Sequence, residues 1–309
     1  MKSSKPANHK IFPINSQKKF AFLIQVPLPD LWRIAEKAAS FYSPFIKEGR
    51  PIDNPQGDLK KIQSRIHRII LSKYKFPDFI IGGVKGKSLN DHLKPHVDKS
   101  VVITLDVKKC FPNLSYKKIY KVWIYLGAFP DTARLATLLT TFQGHLPQGA
   151  PTSNALANLS LLPCLIKGNE IAKENGYDFS QMVDDSAFSG TTLDKTMVPK
   201  IVSEFINAGF KLSHKKLKVQ RSNRPQIVTK RLVNRKPNLT REMKRNIRAA
   251  VFELFALDVD SERYKKNLLA VRGRIIDAIK YNPSFGQKMF RQISKHQEII
   301  LKNITENRQ

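Results

Sequence analysis

Apolar residues recur every three or four positions through DLKKIQSRIHRIILSKY, residues 58–74, with Leu59, Ile62, Ile66 and Ile69/Ile70 on one side. That period predicts an amphipathic helix. DLWRIAEKAASFY, 30–42, predicts another, with Asp30 as its cap. Further helical regions cover about 115–142 and about 152–175, separated by the loop LPQGAP, and KIVSEFINAGF predicts a helix closed by Gly209. VVITLDV, 101–107, is a short β-branched run that predicts a buried strand. MVDDSAF predicts a hairpin with two aspartates at its tip, and QIVTKRLVN a short strand. From about Thr240 onward the pattern is helical and basic and is set apart as a subdomain. The amino end is polar to about residue 19, GGVKGKS (82–88) is a glycine-rich basic loop, and the chain shows no internal repeat.

Composition then narrows the class. The 309 residues carry 54 Lys and Arg against 25 Asp and Glu, a formal net charge of +29, and 41% of them are hydrophobic. A chain that can build a core and still hold so positive a field points to a polyanionic partner, nucleic acid above all. Two cysteines, Cys110 and Cys164, are too few for a disulfide framework or a zinc cluster and fit a reducing compartment. MKSSKPANHK is followed by no signal-peptide core, and FAFLIQVPL is short and broken by Pro27, so no membrane span is expected. The expectation is an intracellular, cytoplasmic protein with no membrane partner.

Against that charge the acids stand out. Asp106 ends the apolar strand VVITL, and Asp184 and Asp185 sit side by side in QMVDDSAFSG. A carboxylate at the end of a buried strand is costly unless paired or bound to metal. Two strand-borne sites can bring three carboxylates together, and divalent cations relieve their repulsion. All-oxygen ligands point to Mg²⁺, and two such ions are a known device for in-line phosphoryl transfer.

Three segments together resemble reverse transcriptases. LDVKKCFPNLSYKKIY is similar to the first catalytic motif, LPQGAPTSN to the template- and nucleotide-gripping loop, and MVDD to the tyrosine-x-Asp-Asp box, with Met182 in place of the usual aromatic. The resemblance runs over roughly 45–285. It implies an α+β right-hand polymerase fold: fingers with an N-terminal extension over 1–100, a palm over 101–235 and a helical basic thumb over 236–309. It further implies RNA-directed DNA synthesis from deoxynucleoside triphosphates, with two Mg²⁺ ions at Asp106, Val107, Asp184 and Asp185. Arg50, in KEGRPIDNPQGDLKKIQ, corresponds to a basic residue that touches the incoming triphosphate. Phe111 matches the aromatic ring that excludes a ribose 2′-OH, and Gln148 and Gly149 match the loop around the nascent base pair. Lys216, in GFKLSHKKLKV, falls where the family keeps a lysine near the departing pyrophosphate, a possible general acid, with Lys215 and Lys218 as alternatives.

Within the family, the chain resembles the bacterial retron enzymes. HLKPH, 92–96, is similar to their Asn-Ala-x-x-His signature only at His96, and QIVTKRLVN to their Val-Thr-Gly segment with Lys230 replacing glycine. That resemblance implies a structured non-coding RNA copied in part into single-stranded DNA, an internal 2′-OH primer, a separate effector protein and a role against phage. A stand-alone phage-defence reverse transcriptase, and a non-catalytic RNA-binding protein on the same scaffold, remain the alternatives. No RNase H, endonuclease or integrase domain is expected after 285, in keeping with the minimal layout that the resemblance implies. From Lys211 to Arg248 there are fourteen Lys or Arg and one acid, Glu242. TREMKRNIRAAVFELFAL then predicts a helix with Ile247, Val251, Phe252 and Phe255 on its apolar face and bases opposite, able to lie along a phosphate backbone.

Overall fold

The computed structural model describes residues 14–47, 49–213 and 216–306, with side chains through 299. The chain divides into two compact units, one of the residues up to Pro95 with Val101–Val219, the other of His96–Ser100 with the residues from Gln220 on.

The first unit opens with α1 (Gln17–Ile24), capped by Ser16, whose side chain accepts from the Lys19 N–H at 3.1 Å. The helix expected over 30–42 begins earlier, as α2 (Leu28–Glu36), because Pro27 and Pro29 preset its first turn, and Ala38–Phe41 forms a separate 3₁₀ turn. Asp30 therefore lies inside the first turn, paired with Arg33 at 3.0 Å, and is not the cap. A two-stranded ribbon follows, β1 (Phe45–Lys47) and β2 (Arg50–Ile52), with Lys47 opposite Arg50 and Gly49 at φ 73° in the turn. Then come α3 (Gly57–Ile69), which buries Leu59, Ile62 and Ile66 as its period predicts, and α4 (Leu89–Leu93), opened by a capping box between Ser88 and Asp91.

Next in the chain are β3 (Val101–Asp106), α5 (Cys110–Asn113), α6 (Tyr116–Tyr125) and α7 (Pro130–Thr140). The single helical region expected over 115–142 is two helices, because Gly127 takes φ 95° and Pro130 starts afresh. The long helix α8 (Ser153–Glu174) has buried residues on every side, which is why its sequence shows no amphipathic stripe. β4 (Asp178–Met182) and β5 (Asp185–Gly190) form the hairpin read from MVDDSAF. α9 (Met197–Asn207) ends at Gly209, φ 75°, as expected, and β6 (Lys218–Arg221) leads out of the unit.

The main sheet has the order β4-β5-β3-β6, and β5 pairs antiparallel with both β4 and β3. Trp123, Phe20, Phe188 and Phe205 are the largest wholly buried side chains, and Phe188 stacks on Phe179 at 4.6 Å. This core fixes the sheet, and the sheet fixes where its carboxylates emerge.

In the second unit, QIVTKRLVN is a tight hairpin instead of one strand. β7 (Ile227–Val228) and β8 (Arg231–Leu232) flank Thr229 and Lys230, at φ 41° and 64°. Positive φ at both central residues is the two-residue turn that suits a twisted ribbon. Lys230 thus adopts the backbone conformation that a glycine would adopt freely. β9 (Asn238–Leu239) completes this small sheet. Three helices follow: α10 (Arg241–Phe255), capped by Thr240, α11 (Glu262–Tyr281), capped by Ser261, and α12 (Pro283–Glu306). Buried Arg231 ties sheet to helices, pairing with Asp277 and lying 4.6 Å over the Tyr281 ring. α10 buries Ile247, Val251 and Leu254, while Phe252, expected on that face, is 76% exposed. One residue past Val251 is about 100° around the helix, which turns Phe252 outward.

Candidate active site

β3 and β5 lie antiparallel with Asp106 directly opposite Asp185, the last residue of one strand against the first of the other. Asp184 occupies the two-residue loop between β4 and β5, and its carbonyl accepts from the Val107 N–H at 3.0 Å. The sheet therefore gathers the three sequence-predicted aspartates at one end. Burial raises the affinity of Asp184 and Asp185 for protons, and the neighbouring carboxylates raise it further. The Arg50 guanidinium acts on Asp184 in the opposite sense, so β2 brings its charge to the cluster's edge.

The loop carrying Asp184 is strained and braced. Val183 has φ 57°, a left-handed conformation that a β-branched residue rarely adopts. Such strain persists only where surroundings over-determine it. Gln181, wholly buried, donates from Nε2 to the Val183 carbonyl at 2.7 Å and accepts at Oε1 from Ser186 Oγ at 2.5 Å. Its own carbonyl accepts from the N–H groups of Ile81 and Gly82 at 2.9 and 3.2 Å. A Cβ on Gly82 would stand 2.5 Å from the Val183 nitrogen, so the glycine-rich loop can press on the hairpin only because it lacks a side chain there. Asn158 on α8 closes this brace, donating to the Gly82 carbonyl at 2.7 Å.

Residues 211–213 run beside the end of β3. The Lys108 N–H donates to the Lys211 carbonyl at 2.8 Å, the Ser213 N–H to the Asp106 carbonyl at 2.8 Å, and Val107 bridges Leu212. This delivers Lys216, whose Nζ lies 2.5 Å from Asp106 Oδ1. Partial burial pulls its affinity for protons down, but the hydrogen bond to Asp106 and the charges of all three aspartates prevail, and the net shift is upward. Among the described residues, Lys216 is the candidate lysine that lies against the carboxylates. Lys218 belongs to β6, and Lys215 lies outside the described residues.

Phe111 lies half-buried on α5, just after Lys109 turns the chain at φ 48°. Gln148 and Gly149 lie against β2. The Asp53 N–H donates to the Gln148 carbonyl at 2.8 Å, and the Gln148 N–H donates to Asp53 Oδ2 at 3.0 Å. His145 Nε2 adds a contact to the same oxygen at 3.5 Å. Gly149 sits at φ 109°, where a Cβ would meet Ile52 Cγ2 at 2.8 Å. Asp53, Gln181 and Gly82 brace the site in ways that periodicity does not reveal: Asp53 holds Gln148 across 95 positions, and the Gln181 carbonyl ties the hairpin to Ile81 and Gly82.

His92 and His96, in the stretch compared with the retron signature, are wholly buried and not exposed loop residues. Ser180 Oγ lies 2.7 Å from His92 Nδ1, and burial lowers the His92 pKa to about 4. Cys110 and Cys164 are both free and buried, with thiol pKa values pushed up to about 12 by burial, which keeps them as inert thiols.

Three crowded carboxylates are a hard, all-oxygen donor set with excess negative charge, and that chemistry fits a divalent cation such as Mg²⁺. Among the described residues no group of three or more His, Cys, Asp or Glu side chains is preset as a metal-binding cluster. Asp106 is turned instead to Lys216 and to a hydrogen bond with Asp185. Among the described residues no helix is long and apolar enough to cross a membrane.

Residues 36–243 match the family described as reverse transcriptase (RNA-dependent DNA polymerase). The chain is 32% identical over 237 residues to the retron Mx65 reverse transcriptase of Myxococcus xanthus, covering 69% of this chain and 55% of that protein. It is 28% identical over 217 residues to the retron Se72 enzyme of Salmonella heidelberg, covering 67% of this chain and 57% of the relative. It is also 28% identical over 214 residues to the retron Ec86 enzyme of Escherichia coli, at 68% and 66%. The chain thus spans between about half and two thirds of the length of these curated relatives.

Proposed function

Because the chain belongs to the reverse transcriptase family, with retron enzymes among its relatives, we propose that it is an RNA-directed DNA polymerase of retron type. It copies part of a structured non-coding RNA into single-stranded DNA, in the service of phage defence with a separate effector protein. The observation that carries the catalytic reading is the convergence of Asp106, Asp184 and Asp185 at one end of a buried sheet in a chain of net charge +29.

In this reading the three aspartates, with Val107 beside them, would hold two Mg²⁺ ions, which when bound would neutralise phosphate charge and activate an oxygen nucleophile. Arg50 receives the triphosphate of the incoming nucleotide. Phe111 is the ring that would exclude a ribose 2′-OH, which makes the substrate a deoxynucleotide. Gln148 and Gly149, clamped to Asp53, shape the pocket for the nascent base pair. Lys216, kept protonated by its carboxylate neighbours, donates its proton to the departing pyrophosphate. The first unit comprises fingers and palm, and α10 to α12 serve as a thumb whose cations bind phosphates with little sequence reading.

Expression with the flanking genomic DNA, followed by extraction of bound nucleic acid, tests the proposal. The expected product is a discrete single-stranded DNA joined to RNA through a branch that a debranching enzyme resolves, absent from an Asp184→Asn/Asp185→Asn variant. Long unbranched DNA would favour the stand-alone defence enzyme. RNA alone, with no synthesis on a supplied primer and template, would leave a binding protein.

A further inference from the structure

The second unit holds a cleft of about 610 Å³ between α10 and α12. Its size falls within the roughly 300–1,000 Å³ of small-ligand sites. Val251 and Met289, both buried, contribute apolar surface to it. Phe255 stacks flat on His296, with centroids 4.1 Å apart and planes at 10°, and His296 Nδ1 is buried with no hydrogen-bond partner among the described residues. Phe252 lines the same cleft while 76% exposed to water. The cations are Arg248, Lys288 and Lys295, and none of the lining residues is acidic. Arg248 is held in place by the Phe285 ring, 5.2 Å away.

Aromatic faces beside cations, with no carboxylate, suit a ligand that is flat and apolar in one part and anionic in another. An unpaired nucleotide has that chemistry, its base stacking on a ring and its phosphate meeting a lysine or arginine. An acidic amphipathic peptide would satisfy the charge but would make no particular use of flat rings. A duplex hides its base faces and would engage the cations alone. We propose that this cleft binds an unpaired base of single-stranded RNA, stacked on Phe252 and flanked by phosphates on Arg248, Lys288 and Lys295. It would give the enzyme a grip on an unpaired segment of its RNA, separate from the carboxylate site. The inference rests on the chain being a nucleic-acid enzyme.

The test measures binding of the full chain to a labelled 12-nucleotide oligo(A) RNA and to a 12-base-pair RNA–DNA duplex, across a salt series. Phe252→Ala should weaken oligo(A) binding about tenfold, the loss of one base stack, and leave duplex binding within about twofold. Phe252→Trp should restore the affinity and Phe252→Leu should not, because stacking rather than apolar bulk is required. Lys288→Ala/Lys295→Ala should reduce the salt dependence of oligo(A) binding, while Phe252→Ala leaves it unchanged. Equal weakening of both ligands, no change in either, or rescue by leucine would overturn the assignment. So would loss of a co-purifying protein from Phe252→Ala with RNA binding intact. Wild-type protein that binds neither ligand and extends no primer would defeat the polymerase reading itself, a result distinct from failure of the cleft alone.

Discussion

Asp53 and Gln148 hold each other twice: Asp53 donates its backbone N–H to the Gln148 carbonyl, and its carboxylate accepts the Gln148 N–H. The consequence is a fixed distance between the strand bearing Arg50 and the loop bearing Gly149. Asp53→Ala removes the carboxylate and releases one side of that clamp. The expected effect is an increase of about tenfold in KM for the incoming deoxynucleotide, roughly the 1.4 kcal/mol of one lost charge-assisted hydrogen bond, with kcat falling less. Asp53→Asn retains an acceptor for the Gln148 N–H and should restore most of the affinity. Steady-state kinetics on a supplied primer and template check both, and a fall in kcat alone would refute the positioning role.

Gly82 offers a sharper test of the catalytic hairpin. A Cβ there would lie 2.5 Å from the Val183 nitrogen and 2.9 Å from the Met182 carbonyl carbon, both backbone atoms of the turn that carries Asp184. Neither is the far end of a flexible side chain, so the turn itself must move. Displacing a catalytic group by about 1 Å costs on the order of a hundredfold in rate. Gly82→Ala should therefore lower kcat about a hundredfold while primer–template affinity stays within about twofold. Loss of both together would mean that the substitution acts through folding.

How much of this was legible beforehand follows from how local each signal is. The strand before Asp106 and the hairpin around Asp184 and Asp185 declare themselves in six or seven residues, so the carboxylate site could be found without coordinates. The clamp could not, because Asp53 meets Gln148 across 95 positions and neither residue is unusual where it stands. The turn at Thr229 and Lys230 is hidden in the sequence for a different reason. Tight hairpins usually announce themselves with Asn or Gly, and here two residues with ordinary side chains take positive φ. Periodicity also misleads at Phe252, which spacing assigns to the apolar face of its helix and which faces solvent instead.

His92 makes acid stability a test of the packing beneath the sheet. It is wholly buried, and burial lowers its pKa from 6.5 to about 4. Between those values the unfolded chain binds a proton that the folded one does not. The stability is therefore fully present above pH 6.5 and is lost as pH falls toward 4. The loss amounts to about 3 kcal/mol at about 1.4 kcal/mol per unit. His92→Asn should destabilise the protein at neutral pH and flatten this part of the acid limb. Denaturant titrations at pH 7 and pH 5 check it, and an unchanged difference between the two would refute the assignment to His92.

The carboxylate cluster predicts the opposite pH dependence, and one that metal should reverse. Burial and mutual repulsion hold Asp184 and Asp185 above the ordinary carboxylate range, so in metal-free protein the folded state binds protons that the unfolded state has already released. This contribution favours folding below the unfolded pKa of about 4 and is lost as pH rises through the raised values. At pH 7 the wild-type metal-free enzyme therefore carries two carboxylates that are costlier to ionise in the folded chain than in the unfolded one. Asp184→Asn/Asp185→Asn removes them, and its Tm without metal should exceed the wild type's by a few degrees, for about 1 kcal/mol corresponds to about 2–4 °C in a domain of 150–250 residues. Mg²⁺ should raise the wild-type Tm, since a cation that binds only the folded, deprotonated site stabilises it by mass action. The double variant should gain nothing from Mg²⁺ and should synthesise no DNA. Scanning calorimetry in chelator and in Mg²⁺ separates these effects. A variant less stable than wild type in chelator would show that the aspartates are structural, and equal stabilisation of both proteins by Mg²⁺ would place the metal elsewhere.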